Sequence, residues 1–154
     1  MDFFGGELRE KSVGIGVSCR QRDEAGEEIC LSYVVRGRYG LRGGAEFLTY
    51  EEPEESGLLG TRTTLFFSDG AVRLVRTGAV SMRLLLMPGV ASDGLYRTEV
   101  GTMALRARTK ELENGLFGGA GRLRMLYTME AEGLFCHENE LEIEVSEVAG
   151  VHGH

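Results

Sequence analysis

Residues 61–75 read TRTTLFFSDGAVRLV, and this stretch decides the fold. Asp69-Gly70 is a strong signal for a two-residue hairpin turn, for which we expect type I′ geometry with a positive φ at both residues. A turn at this position makes two apolar cross-strand pairs on one face, Phe67 with Val72 and Leu65 with Leu74. Phe66 and Arg73 then face outward. The turn and the hydrophobic alternation therefore predict the same register.

Apolar and polar residues alternate along most of the chain on both sides of this hairpin. Examples are Val13-Gly-Ile-Gly-Val17 and Leu141-Glu-Ile-Glu-Val145, and a period of two predicts β-strands. Eight to ten such segments follow one another, separated mostly by short turns, and only residues 109–115 favour a short helical turn. The fold class predicted is all-β, a single antiparallel up-and-down β-barrel, because closing the sheet removes its exposed edges.

Length and composition favour one domain and exclude several classes of protein. The 154 residues fit one domain, and a hydrophobic content of 42% is enough for a packed core. Residues 84–91 form the longest apolar run, which is far shorter than the roughly 20 residues of a membrane helix. The N-terminus lacks the apolar region of a secretory signal. We expect a barrel domain at residues 12–147, with flexible termini at 1–11 and 148–154.

The net charge and the number of cysteines indicate which partners and which cellular compartment to expect. The formal net charge of −7 disfavours general nucleic-acid binding, which depends on neutralising phosphates. Three cysteines suit free thiols in a reducing cytosol better than a disulfide framework. We therefore expect a cytoplasmic protein that contacts no membrane. The sequence is compatible with a homo-oligomer as well as with a monomer.

Two expectations concern the C-terminal hairpins. A turn at Glu132-Gly133 combined with a β-bulge near Glu138-Asn139 would give four cross-strand pairs: Met125 with Leu141, Leu123 with Ile143, Arg124 with Glu142, and Arg122 with Glu144. On the preceding hairpin we expect two arginine pairs, Arg106 with Arg124 and Arg108 with Arg122. Such a row of like charges on the outer face could attract an anion, an acidic partner or RNA.

A series of short segments resembles the YwiB-like family, small bacterial proteins of uncharacterised function. The matching residues are Gly37-Arg38-Tyr39, residues 47–52, residues 60–64, residues 75–82, Tyr96-Arg97-Thr98, Gly101, Leu105, Thr109, Gly121-Arg122-Leu123 and Tyr127. The likeness covers residues 12–147 and implies a calycin-type, lipocalin-like barrel without implying an activity. The chain has no Trp, so the Gly-x-Trp signature of true lipocalins is missing.

Several chemical motifs favour ordinary structural roles. Cys136 and His137 are neighbours on a strand and point to opposite faces, so they cannot form a dyad. Residues 51–55 carry four glutamates and are expected to form a charged, solvated loop. Residues 115–121 are rich in glycine but lack the Lys and helix of a phosphate-binding loop. His152 and His154 fit a frayed terminus. We predict no catalytic residue, metal site or cofactor.

Arg76 is the strongest candidate for a functional residue. Extending the hairpin register places it opposite Thr63 on the apolar face, toward the barrel interior or its mouth. A charge there needs a partner or water, which makes Arg76 a candidate contact for a ligand carboxylate or phosphate. The alternative is an arginine that braces turn carbonyls beside Gly78. Further candidate ligand contacts are Tyr33, Thr63, Tyr96 and Tyr127.

Three function classes remain. The first is a cytosolic protein that binds a small, partly apolar anion in the barrel. The second is a non-enzymatic interaction or structural module whose barrel is filled with side chains. The third and least favoured is a hydrolase or isomerase that uses the barrel mouth. A cavity of a few hundred Å³ favours the first class, and a dry, packed interior favours the second.

Overall fold

The computed structural model describes residues 10–148, which form ten β-strands and one short 3₁₀ helix. The strands are β1 (Glu10–Arg22), β2 (Glu28–Arg42), β3 (Ala45–Glu51), β4 (Thr61–Ser68), β5 (Ala71–Gly78), β6 (Met82–Leu86), β7 (Ala91–Thr98), β8 (Gly101–Asn114), β9 (Gly121–Ala131) and β10 (Phe135–Glu147). The 3₁₀ helix covers Glu54–Ser56. No helix in this part of the chain is both long and apolar enough to cross a membrane.

The ten strands form one antiparallel sheet that curls into a nearly closed barrel, as the alternation predicts. Their order is β6-β5-β4-β3-β2-β1-β10-β9-β8-β7, so the first and last strands pair with each other and the sheet ends at β6 and β7. In the described part of the chain a single β-bridge lies at this junction, between Ser81, which precedes β6, and Arg97 of β7. In it the N–H of Ser81 donates to Arg97 O at 3.0 Å, and the N–H of Arg97 donates to Ser81 O at 2.9 Å. We call this incomplete junction the seam.

The β4–β5 hairpin has the predicted register but not the predicted turn type. Phe67 pairs with Val72, and both are buried, whereas Arg73 is exposed and Phe66 half-buried. Gly70 has a φ of 70°, but Asp69 is not among the residues with a positive φ. The type I′ expectation is therefore wrong. A type II turn needs a positive φ only at its second central residue, where glycine adopts it at no steric cost.

The β9–β10 hairpin has the predicted register, but a longer loop produces it instead of a β-bulge. Met125 pairs with Leu141 and Arg124 with Glu142, in one uninterrupted ladder without a bulge. The shift comes from a three-residue loop between Ala131 and Phe135, in which Gly133 has a φ of 78°. Three-residue hairpin loops with a left-handed residue are common.

The row of four arginines does not form. Strand β8 continues through the segment where a helical turn was expected, and a register irregularity between Thr109 and Glu111 shifts its pairing with β9. As a result, Arg124 lies opposite Glu113 and binds Glu111 at 2.9 Å, and Arg106 forms a two-bonded ion pair with Asp93. Of the four arginines, Arg106, Arg122 and Arg124 therefore pair with acids, whereas Arg108 is exposed opposite Thr128.

One end of the barrel is filled with apolar side chains. Inward-facing residues near the start of β1 and the ends of β4 and β6 are almost completely buried. They include Ile15, Leu48, Leu65, Leu74, Leu84, Leu86, Leu123, Met125 and Ile143. We call this part the closed end. These buried side chains belong to one hydrophobic cluster, and their burial stabilises the fold.

Candidate functional site

The opposite end of the barrel is less completely filled, and we call it the open end. Its inward-facing side chains remain half-buried although they belong to the same strands as the core. They are Leu31, Tyr33, Tyr96, Met103, Met129 and Phe135. Ile29, at the beginning of β2, is 66% exposed. Apolar side chains that face inward and still meet solvent are typical of an opening into a barrel.

A buried carboxylate lies beneath these residues. The side chain of Glu52 has no exposed surface. Its Oε1 accepts a hydrogen bond from the Tyr33 hydroxyl at 3.0 Å, and its Oε2 accepts one from the Thr63 hydroxyl at 2.5 Å. The expectation of a solvated loop at residues 51–55 is therefore wrong for Glu52, although Glu51, Glu54 and Glu55 are exposed.

The sequence does carry a signal for the position of Glu52, in the alternation along β3. Leu48 and Tyr50 face inward on β3, and Glu52 continues this period of two beyond the end of the strand. The N–H of Glu52 donates to Thr61 O at 2.9 Å, which keeps the backbone extended. The chain then turns away at Pro53 into the 3₁₀ helix.

Arg76 lies opposite Thr63, at the predicted register position. Its Nε donates to the Thr63 hydroxyl at 3.2 Å and lies 4.0 Å from Glu52 Oε2, and its side chain is 23% exposed. The partner that a charge at this position requires lies within the protein, because Glu52 balances the charge of the guanidinium. In the described chain it makes no hydrogen bond to the turn carbonyls beside Gly78. Glu52, Thr63 and Arg76 thus form one linked unit of a carboxylate, a hydroxyl and a guanidinium group.

Three tyrosines surround this unit. The hydroxyls of Tyr33 and Tyr50 share a hydrogen bond of 3.3 Å. Burial raises the pKa of both hydroxyls, and the nearby Glu52 charge raises them further. Burial also raises the pKa of Tyr127 to about 12, partly opposed by the positive charge of Arg76. All three tyrosines therefore stay neutral hydrogen-bonding groups near neutral pH.

The structure brings three of the five predicted contacts, Tyr33, Thr63 and Arg76, into one hydrogen-bonded cluster with Glu52. Tyr127 is buried within reach of the charge of Arg76, and Tyr96 is half-buried on β7. Neither of these two hydroxyls makes a side-chain hydrogen bond within residues 10–148. Glu52 and Tyr50 also belong to this cluster, although no sequence motif predicted them.

The structure also gives the positions of the cysteines and of His137. His137 faces inward, lies 2.5 Å from the Gln21 amide and stacks on Phe135, whereas Cys136 is paired with Glu130 on the outer face. Cys19, Cys30 and Cys136 are free. No group of three or more metal-ligating side chains occurs in residues 10–148. His152 and His154 lie outside the described residues.

Comparisons with known proteins support the architecture. A family model described as a domain of unknown function (DUF1934) matches residues 15–143. The uncharacterized beta-barrel protein YwiB of Bacillus subtilis (strain 168) is 25% identical over 121 residues, which cover 79% of this chain and 83% of that protein. The crystal structure of the ywiB protein from Bacillus subtilis superposes with a TM-score of 0.81 at 23% identity, covering 94% of this chain and 98% of that chain. The solved structure shows a common β-barrel fold.

Proposed function

Because the chain belongs to the DUF1934 family, whose function is unknown, we propose a role from the geometry of its barrel: it binds a small, partly apolar molecule with an anionic head group at the open end. Family membership agrees with the YwiB-like resemblance found in the sequence and leaves the ligand undefined. The site in this proposal comprises Arg76, Thr63, Tyr33, Tyr127 and Glu52, with Tyr96 at its apolar edge.

The observation that carries the proposal is the contrast between the two ends of the barrel. A barrel filled throughout would bury Leu31, Met103 and Met129 as completely as Leu65 and Leu123. Instead, the first three stay half-buried above a polar floor. Burying apolar surface stabilises a complex by roughly 25 cal/mol per Å², so these side chains favour an apolar occupant.

Arg76 supports an anionic head group. Its hydrogen bond within the described chain uses Nε, and the side chain is only partly covered. The two terminal nitrogens therefore remain available to a carboxylate or phosphate, the groups that a guanidinium binds best. Glu52 weakens this attraction by balancing the charge, but it also fixes the orientation of the guanidinium through Thr63.

The rival function is a non-enzymatic interaction module, which the filled closed end favours. In that case the open end would bind no small molecule, and the outer face would meet a partner or a second copy. Our proposal includes no reaction step. It also includes a cytoplasmic location, where the three free thiols would remain reduced.

The test uses decanoate and decanol as matched probes that differ in the charge of the head group. Protein freed of bound molecules by refolding would be titrated with each probe by calorimetry. We expect decanoate to bind more tightly than decanol. In Arg76→Gln this preference should fall by about 10- to 100-fold, the range of one charge-assisted hydrogen bond.

Arg73→Gln is the matched control, because Arg73 lies on the same strand and faces outward. It should keep the preference of the wild type for decanoate. Circular dichroism would confirm that each variant is folded at the temperature of titration. Failure of both probes to bind the wild-type barrel at millimolar concentration would overturn the proposal in favour of the interaction module.

A further inference from the structure

A second polar feature lies on the outer surface, at the seam between β6 and β7. A cleft of about 500 Å³ opens there because the two strands share a single bridge instead of a full ladder. Its polar lining residues are Arg76, Thr77, Ser81, Arg83, Asp93 and Arg97. Gly94 allows the close crossing, since a Cβ on it would lie 2.3 Å from Arg83 O.

The charge of this cleft is opposite to that of the whole protein. The chain carries a formal net charge of −7, yet three arginines and a single acid line the cleft. That acid, Asp93, is already held by Arg106 at 2.7 and 3.2 Å. Arg83 and Arg97 are exposed and form no ion pair within residues 10–148. The cleft therefore holds uncompensated positive charge.

The arginines are arranged around two hydroxyl groups. Arg97 is the bridge partner of Ser81, and Arg83 lies two residues further along the same face of β6. Thr77 continues this row onto β5, directly after the pair of Arg76 with Met82. The hydroxyls of Thr77 and Ser81 make no side-chain hydrogen bond in the described structure. Two guanidinium groups and two hydroxyls thus face one space without partners in the protein.

We propose that this seam cleft is a binding site for a phosphate group, either inorganic phosphate or the phosphate of a small monoester. A tetrahedral dianion accepts hydrogen bonds from several directions, which suits donors placed on both walls of a cleft. Arginine forks bind phosphate oxygens in pairs. Arg83 and Arg97 supply the charge, and Ser81 and Thr77 supply neutral donors between them.

The seam site is distinct from the proposed ligand site inside the barrel. Arg83 and Arg97 face the outer surface, whereas Tyr33, Thr63 and Glu52 face inward. Arg76 lines the cleft and also belongs to the inner cluster. For that reason, substitutions at Arg83 and Arg97 test the seam site without removing a residue of the inner cluster.

The experiment titrates ¹⁵N-labelled protein with inorganic phosphate and, separately, with glycerol 3-phosphate, at constant ionic strength. We expect backbone amide shifts concentrated at Ser81, Arg83 and Arg97, with saturable binding. Each of Arg83→Gln and Arg97→Gln should weaken binding by about 10-fold or more. Tighter binding of glycerol 3-phosphate would assign the site to a monoester, and equal binding would assign it to the free anion.

Arg73→Gln is again the control, since it removes one exposed charge from β5 outside the cleft. If Arg73→Gln weakened phosphate binding as much as Arg83→Gln and Arg97→Gln, the loss would reflect the overall charge of the protein, and the proposal would be overturned. Absence of saturable shifts at the seam would overturn it as well. Neither outcome bears on decanoate binding, so failure of the seam site and failure of the barrel site can be told apart.

Discussion

The hydroxyl of Thr63 donates to the carboxylate of Glu52 over 2.5 Å and, on its other side, accepts a hydrogen bond from Arg76 Nε at 3.2 Å. A single hydroxyl thus links a carboxylate and a guanidinium group, and Glu52 Oε2 lies 4.0 Å from Arg76 Nε inside the barrel. Burial of an isolated charge is costly, whereas a paired and hydrogen-bonded charge is tolerated. The unit supplies the buried Glu52 side chain with hydrogen-bond donors and a neighbouring positive charge.

The first prediction concerns Glu52→Gln. The substitution removes the negative charge, leaves Arg76 without its counter-charge and weakens two hydrogen bonds. Hydrogen bonds to charged groups contribute about 1.5–3 kcal/mol each, so we expect the free energy of unfolding to fall by about 2–3 kcal/mol. Urea denaturation at neutral pH would measure it. Glu55→Gln, in the same segment but exposed, should change stability by less than about 0.5 kcal/mol.

A second prediction tests whether Glu52 and Arg76 act as a unit. In a double-mutant cycle, Glu52→Gln combined with Arg76→Gln should cost less than the sum of the two single substitutions, because the double variant leaves no unpaired charge. Coupling energies of contacting groups are about 0.5–3 kcal/mol. Additive losses in urea denaturation would show that the two side chains act independently.

Local alternation predicts most of the fold. The pairs Phe67 with Val72 and Met125 with Leu141 follow from apolar residues at every second position, because a slip of one residue would turn each core side chain outward. Turn details are less predictable. Asp69-Gly70 fits more than one turn type, and Glu132-Gly133 fits a loop of two or three residues with the same final register.

The candidate site is only partly predictable. Arg76 opposite Thr63 follows from the hairpin register, but its partner Glu52 lies beyond the end of β3, in a run of acids that resembles a solvated loop. The irregularity between Thr109 and Glu111 leaves no local pattern, so the outer arginine pairs are predicted wrongly. The seam depends on where a ten-stranded sheet fails to close, a property of the whole barrel and not of a segment.

A third prediction compares two glycines that both have a positive φ. At Gly70 (φ 70°) a Cβ would meet nothing within 4 Å, whereas at Gly78 (φ 115°) it would lie 2.3 Å from Gly60 O. Gly70→Ala should destabilise by about 1–2 kcal/mol, the cost of a left-handed conformation. Gly78→Ala should cost clearly more, since the backbone must also move. Equal melting temperatures for the two variants would contradict this explanation.

A fourth prediction concerns the thiols. Denatured protein handled without oxidants should react with three equivalents of Ellman's reagent, because Cys19, Cys30 and Cys136 are free. In native protein Cys30, which is exposed, should react before Cys19, because burial raises the pKa of the Cys19 thiol. Cys30→Ser should remove the fast phase and leave the slower reactions of Cys19 and Cys136, because burial raises the pKa of both thiols. One equivalent in the denatured wild type would instead indicate a disulfide.

The last prediction concerns alkaline pH. Burial raises the pKa of Tyr127 to about 12, above the value of about 10 for tyrosine in an unfolded chain. Between these values the folded protein keeps a proton that the unfolded chain releases, so the stability due to this group is present below pH 10 and is lost as the pH rises toward 12. Tyr127→Phe removes the ionisable group, so its free energy of unfolding should decline less steeply than that of the wild type over this interval.

Urea denaturation at a series of pH values would measure both slopes, and absorbance at 295 nm would follow tyrosinate formation in the native state. Identical slopes, together with ionisation of Tyr127 near pH 10 in folded protein, would show that its hydroxyl reaches solvent and would place it at the opening of the barrel instead of in its floor.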